Sequence, residues 1–220
     1  MTANTLTIDI VSDIVCPWCY IGKRKLELAL ALPMAAGLPT AELRWHPFQL
    51  NPDLPAEGVA RQQYLQDKFG GPQRAAQIYD RVRAAGRAVG LALDLDGITR
   101  QPNTLAAHAL LAFARQGGAA SAGAMKERLL KAYFVENRFI GSADVLAEIA
   151  GEAGLDADAD AARAFMRDPA QLDAVARADA QARSAGISGV PYFIFNQKVA
   201  LSGAQEPTEL LAAMQQALNV

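Results

Sequence analysis

The chain has 220 residues, 51% of them hydrophobic, and a formal net charge of −2. That is enough apolar material for one large domain, or a domain with a sizeable insertion, and too much for a disordered chain. No long run of one charge sign favours a nucleic acid or a membrane surface, and no run of about eighteen apolar residues marks a transmembrane helix.

Residues 1–9 carry neither a basic segment nor a long apolar stretch, so no secretory signal is expected. The expected location is the cytoplasm, although a chain trimmed of its leader would read the same. The apolar, β-branched run at 6–11 predicts a strand. Residues 17–32 predict a helix, ended by Pro33 and the Gly37-Leu38-Pro39 turn. Between them lies Val11-Ser12-Asp13-Ile14-Val15-Cys16-Pro17-Trp18-Cys19-Tyr20, which holds both cysteines of the chain.

The Cys-x-x-Cys therefore sits where a strand turns into a helix. With Cys16 as N-cap, Pro17 takes the first helical position, where its missing N–H costs nothing. The free N–H groups of the first turn and the positive end of the helix dipole then favour thiolate over thiol. Cys19 lies one turn on, roughly 5–6 Å away, within the span of a disulfide. Two other readings compete. Half of a zinc site would need two more ligands, and the chain offers only His46 and His108, far apart in sequence. An inert disulfide would close almost no loop and so stabilise little. A cytoplasmic setting also disfavours structural disulfides.

Residues 42–47 alternate, Leu43 and Trp45 inward against Arg44 and His46 outward, as in a half-buried strand. This completes a β-α-β unit, normally right-handed and parallel. Asn51-Pro52-Asp53-Leu54-Pro55 is a break. Helical spacing then predicts helices at 60–69, 72–89, 104–115, 124–135, 143–151, 158–166 and 170–185. Asn103 and Ser142 read as N-caps, and Gly117-Gly118 and Gly154 as C-terminal stops. No internal repeat is evident. After Pro191, residues 192–196 and 198–201 read as a hairpin, and 207–218 as a last helix.

Ser12-Asp13, Cys16-Pro17-Trp18-Cys19-Tyr20-Ile21-Gly22 and Gly189-Val190-Pro191 resemble the DsbA-like thioredoxin-fold proteins, in particular their FrnE-like branch. That branch is related to 2-hydroxychromene-2-carboxylate isomerases and kappa-class glutathione transferases. The resemblance implies an α/β, thioredoxin-like fold with a large all-helical insertion. Residues 1–52 and 186–220 would form the thioredoxin-like domain, and 53–185 the inserted helical domain. It implies a thiol–disulfide oxidoreductase acting on protein, peptide or glutathione disulfides. Cys16 would be the nucleophile and Cys19 the resolving thiol. A cis Val190–Pro191 bond would lie against the pair, leaving the Val190 N–H and C=O to meet an extended substrate. No metal or organic cofactor is implied, glutathione being a co-substrate; no nucleic-acid or membrane partner is implied either. Monomer and homodimer both stay open.

One departure stands out. Pro17-Trp18 replaces the Pro-His dipeptide typical of strongly oxidising DsbA enzymes, and an indole cannot hold positive charge beside a thiolate. Two rival functions remain. A glutathione-dependent isomerase or transferase would usually carry serine where Cys16 stands. A non-catalytic peptide-binding module would have inert thiols.

Several residues admit two roles. Trp18 is an apolar platform for a substrate or plain packing. Asp13 manages protons at the disulfide or caps the turn into the helix, and its charge would oppose a nearby thiolate. In glutathione-using relatives an Asn-Ser or Asn-Thr similar to Asn103-Thr104 faces the active site; here Asn103 serves equally as an N-cap. His108 reads as a satisfied buried histidine, and His46 as surface or packing. Ser202-Gly203-Ala204-Gln205, before the last helix, holds a carboxylate such as one of glutathione, or is a capped turn. Arg61, Arg74, Arg81, Arg83 and Arg87 read as a solvated helix face.

Overall fold

The structure is a computed structural model and describes residues 5–155 and 159–219. Its main sheet is built on β1 (Leu6–Ser12), which buries Leu6, Ile8 and Ile10 on one face. Helix α1 (Pro17–Leu30) leads to a short 3₁₀ turn at Pro33–Ala35 and then to β2 (Ala41–Pro47). β2 pairs with β1 in parallel. After a long excursion the chain returns through β5 (Tyr192–Phe195) and β6 (Val199–Ser202), an antiparallel hairpin. β5 runs antiparallel to β1, so the order is β2-β1-β5-β6. Ile10 lies opposite both Trp45 and Phe193, which places three large apolar groups on one face.

The excursion holds β3 (Val59–Ala60), α2 (Arg61–Phe69), α3 (Pro72–Ala88), β4 (Arg100–Gln101), α4 (Leu105–Arg115), α5 (Ala119–Phe134), α6 (Ala143–Glu152), α7 (Ala159–Arg167) and α8 (Pro169–Ser184). Helix α9 (Pro207–Asn219) closes the described chain and packs beside α1. This is the β-α-β, helical insert, β-β-α order that the resemblance implies. One apolar core joins Ile8, Ile10 and Phe193 of the sheet to Leu110, Leu129 and Phe134 of the helices. Among the described residues, no helix is long and apolar enough to cross a membrane.

Three expectations change. Helix α5 begins at Ala119 rather than 124, because Gly118 at φ 96° starts it and Ala122 is buried. The two-stranded β3–β4 sheet was not expected; Gly58 makes it fit, since a Cβ there would lie 2.3 Å from the Gln101 carbonyl oxygen. Arg61 is not on a solvated face. It is 8% exposed, bonds Gln101 and the Tyr79 hydroxyl, and lies over the rings of Tyr64 and Tyr79. A planar guanidinium can satisfy several partners while buried, which a helical-wheel argument does not anticipate. Arg74, Arg81 and Arg87 are exposed, and Arg83 pairs with Asp80 and Asp96. The helix expected at 158–166 has its first residue outside the described residues.

Candidate active site

Strand β1 ends in the turn 13–16, and α1 starts at Pro17 with Cys16 as its N-cap. Cys16 is extended there (φ −92°, ψ 111°), and its C=O accepts the Cys19 N–H at 3.0 Å. Both cysteines are free thiols and buried, at 4% and 2% exposure. The Cys16 sulfur does not turn onto the amides of the first helical turn, as the N-cap position suggests; it makes no cap hydrogen bond. Instead Cys16 Sγ lies 3.5 Å from the Val190 carbonyl oxygen, to which the thiol donates.

The Val190–Pro191 peptide is cis. Pro191 is buried on Gly22 of α1, where a Cβ would come within 2.9 Å of Pro191 Cγ and 3.2 Å of Phe193 Cζ. Glycine inside the helix is what lets this loop reach the cysteine pair.

Asp13 lies below them, 0% exposed. Its Oδ1 accepts the Ile14 N–H at 2.7 Å and its Oδ2 the Leu50 N–H at 2.7 Å. His108 Nε2 is 3.3 Å from Oδ1. Burial pushes the carboxyl up, but the His108 hydrogen bond and charge, the Leu50 N–H and the Lys126 charge outweigh it. Asp13 is therefore held below the usual carboxylate range. Burial also pushes the Cys19 thiol well above its ordinary value, and contact with Cys16 adds to this; the Lys126 charge and the Asp13 backbone oppose it. Lys126, on α5, is fully buried, and burial lowers its proton affinity.

The segment after β2 is clamped over this floor. The Gln49 N–H donates to Asp179 at 2.8 Å, and Gln49 Nε2 donates to Asn103 Oδ1 at 2.9 Å. Asn103 Oδ1 also accepts the Leu105 N–H at 2.9 Å, and its Nδ2 donates to the Leu54 carbonyl at 2.6 Å. Thr104 rather than Asn103 is the N-cap of α4; Asn103, one residue earlier, accepts the first helical N–H and ties down the 51–54 loop, with its amide engaged by the protein itself. Val11, Phe48 and Ile187 form a small apolar cluster, with Leu50, Val190 and Tyr192 half-buried against it. Trp18 stands 37% exposed between the cysteines in sequence.

Other residues lie apart. His46 pairs with Asp9 at 2.7 Å on the β1–β2 edge. The start of α9 is filled by the chain: the Glu206 N–H donates to Glu209 at 3.2 Å, Gln205 Nε2 donates to the Ser202 carbonyl at 2.6 Å, and Lys25 donates to the Ala204 carbonyl at 3.1 Å. The sequence reading missed Lys126, the Gln49–Leu50 backbone and Asp179. Lys126 had a visible signal: it interrupts the buried stripe Ala122, Met125, Leu129, Leu130, Tyr133.

This arrangement has relatives. A family model described as DSBA-like thioredoxin domain matches residues 7–215. A protein described as a probable DsbA oxidoreductase from Streptomyces coelicolor is 33% identical, with a TM-score of 0.83 over 97% of this chain and 90% of that one. The uncharacterized protein YwbO of Bacillus subtilis (strain 168) is 26% identical over 152 residues, 69% of this chain and 68% of its own. The cytosolic disulfide reductase DsbM of Pseudomonas aeruginosa, solved with GSH, is 21% identical and superposes at a TM-score of 0.68 over 97% of this chain and 100% of that one. The family match runs from β1 into α9 and takes in the Cys16–Cys19 turn, the helices and the Val190–Pro191 bond, so the chain belongs to the DSBA-like thioredoxin domain family.

Proposed function

We propose that the protein exchanges disulfides with a thiol partner through Cys16 and Cys19, acting on peptide, protein or glutathione disulfides. One observation carries this reading: two free thiols share the first turn of a helix, and the outer one touches the backbone carbonyl of Val190. In the reducing direction, Cys16 gives up its proton and attacks one sulfur of the substrate disulfide. The other sulfur leaves as a thiolate. Cys19 then loses its proton and attacks Cys16 Sγ, the mixed disulfide breaks, and the second substrate thiolate departs. Two electrons pass to the substrate, and the protein is left with a Cys16–Cys19 disulfide. Reversal oxidises a substrate dithiol.

The surroundings fit each part. The Val190 carbonyl, freed when Sγ turns, can accept a substrate N–H. Trp18, Leu50, Val190 and Tyr192 offer half-exposed apolar surface to a peptide on either side. Glutathione is the small thiol partner we assign, and its presence with the structurally similar Pseudomonas reductase supports that choice.

The test is to mix reduced protein with glutathione disulfide, alkylate, and weigh the products. Loss of both thiols to one intramolecular bond is the expected result. Cys19→Ser should stop at a glutathione adduct on Cys16. Both thiols persisting would contradict the proposal and favour a glutathione-dependent isomerase or a binding module.

A further inference from the structure

A cavity of about 280 Å³ opens between β2, α4, α7 and α8, and none of its lining residues belongs to the dithiol turn. Its walls are largely apolar, with Leu111 from α4, Phe165 from α7 and Val175 from α8. Two polar groups interrupt them. Trp45 of β2 is 5% exposed and His108 of α4 is 3% exposed, and both line the cavity. Trp45 Nε1 and His108 Nδ1 are each buried with no hydrogen-bond partner among the described residues. Buried polar atoms are almost always paired, so two such atoms around one cavity call for a reason. The packed neighbours do not supply one. Lys126 lies over the Trp45 ring, 5.4 Å from Nζ to the centroid, and an ammonium cannot accept the indole N–H. His108 uses its other nitrogen on Asp13: Nε2 is 3.3 Å from an oxygen of a carboxylate, which only accepts. The ring proton is therefore on Nε2, and the neutral ring leaves Nδ1 as an acceptor.

The cavity thus offers one N–H donor and one nitrogen acceptor inside apolar walls. A hydroxyl on an aromatic ring matches all three features. Its oxygen accepts from Trp45 Nε1, its O–H donates to His108 Nδ1, and the ring covers Leu111, Phe165 and Val175. Size agrees, since an apolar cavity of about 150 Å³ already holds a benzene ring. A carboxylate in the same place fits less well, because the Asp13 carboxylate lies directly behind His108. We propose that this cavity is a second ligand site, which binds a single-ring phenol. The site does not depend on the dithiol reading. His108 nevertheless joins it to Asp13, so ligand and cysteine turn share one hydrogen-bonded pair. Binding alone is assigned; no covalent bond forms or breaks.

The experiment is calorimetric titration of the reduced protein with phenol, toluene and benzoate, with melting temperatures measured alongside. Phenol should bind one to one, with a Kd of about 1 mM or tighter, and more tightly than benzoate. Two variants locate it. Ala178→Leu enlarges a half-buried side chain that lines the cavity from α8. It should abolish phenol binding while the melting temperature holds. Trp45→Phe removes the indole N–H and should weaken phenol by about threefold to tenfold, while toluene, which has no hydroxyl, is not weakened. The comparison of phenol with benzoate and the Ala178→Leu result stand even where Trp45→Phe does not fold. Cys16→Ser should bind phenol as wild type does, which separates this site from the dithiol. Absence of phenol binding would overturn the proposal. So would binding that survives Ala178→Leu, binding that is lost in Cys16→Ser, a toluene affinity that falls as far as that of phenol in Trp45→Phe, or a preference for benzoate.

Discussion

Asp13 holds its charge without water because protein dipoles replace the water. Two backbone N–H groups and an imidazole meet its two oxygens. Charge-assisted bonds of this kind are worth about 1.5–3 kcal/mol each. The folded carboxyl is held below its unfolded value. The group therefore adds stability above the unfolded pKa, near 3.9, and that gain disappears as pH falls through the lower folded value. Asp13→Asn keeps the shape but removes the charge. It should lose roughly 2–3 kcal/mol in urea unfolding at pH 7, and the gap to wild type should close below about pH 3. A constant gap across pH would mean that charge is not what the site holds. Lys126 has the opposite sign. Its folded proton affinity is lowered by burial, so its cost is present at neutral pH and fades as pH climbs toward the unfolded value near 10.4. Lys126→Met should therefore melt at the same temperature as wild type, or higher, at pH 7. A clearly lower melting temperature there would contradict a net cost of burying Lys126. From sequence, Asp13 was visible as a residue near the motif, but the Leu50 N–H that it receives was not. That bond joins positions far apart in the chain, and no local pattern encodes it.

Helix α1 depends on a residue that is poor for helices. Glycine in a helix interior costs about 1 kcal/mol against alanine. Gly22 is kept because Pro191 and Phe193 occupy the space a methyl would need. Gly22→Ala should therefore lower the melting temperature despite its better propensity, and slow exchange with glutathione disulfide by shifting the Val190 carbonyl. A rise in melting temperature would show that the contact is loose. Elements with a clear period were readable: β1, α1, β2 and the β5–β6 hairpin lie within one or two residues of where spacing put them. The start of α5 was not readable, because Ala119-Ala120-Ser121 and Gly123 give no apolar period until the core receives Ala122. Strands β3 and β4 have two residues each, too few for alternation to register. Arg61 shows the limit of charge as a guide to exposure, since three tyrosines supply its burial with partners.

At the scale of the whole molecule, the sheet is drawn from the two ends of the described chain and the helices lie between. Sequence order alone suggested this, and the resemblance made it specific. What neither could supply is how the helical block reaches back. Asn103 pins the loop beyond β2, Asp179 holds Gln49, and the charge of the buried Lys126 acts on Cys19. On this account the helices do more than cover a substrate; they furnish charge to a motif that lacks a histidine between its cysteines. Cys16 and Cys19 should behave as one reversible two-electron couple. The direct measurement is a redox titration in glutathione buffers at fixed pH, with the thiols counted by alkylation and mass. The prediction is a single transition in which both thiols disappear together, following the square of glutathione over its disulfide, about 30 mV per tenfold change in equilibrium constant, and abolished by Cys16→Ser. Thiols that titrate separately, or oxidation only to a covalent dimer, would contradict it.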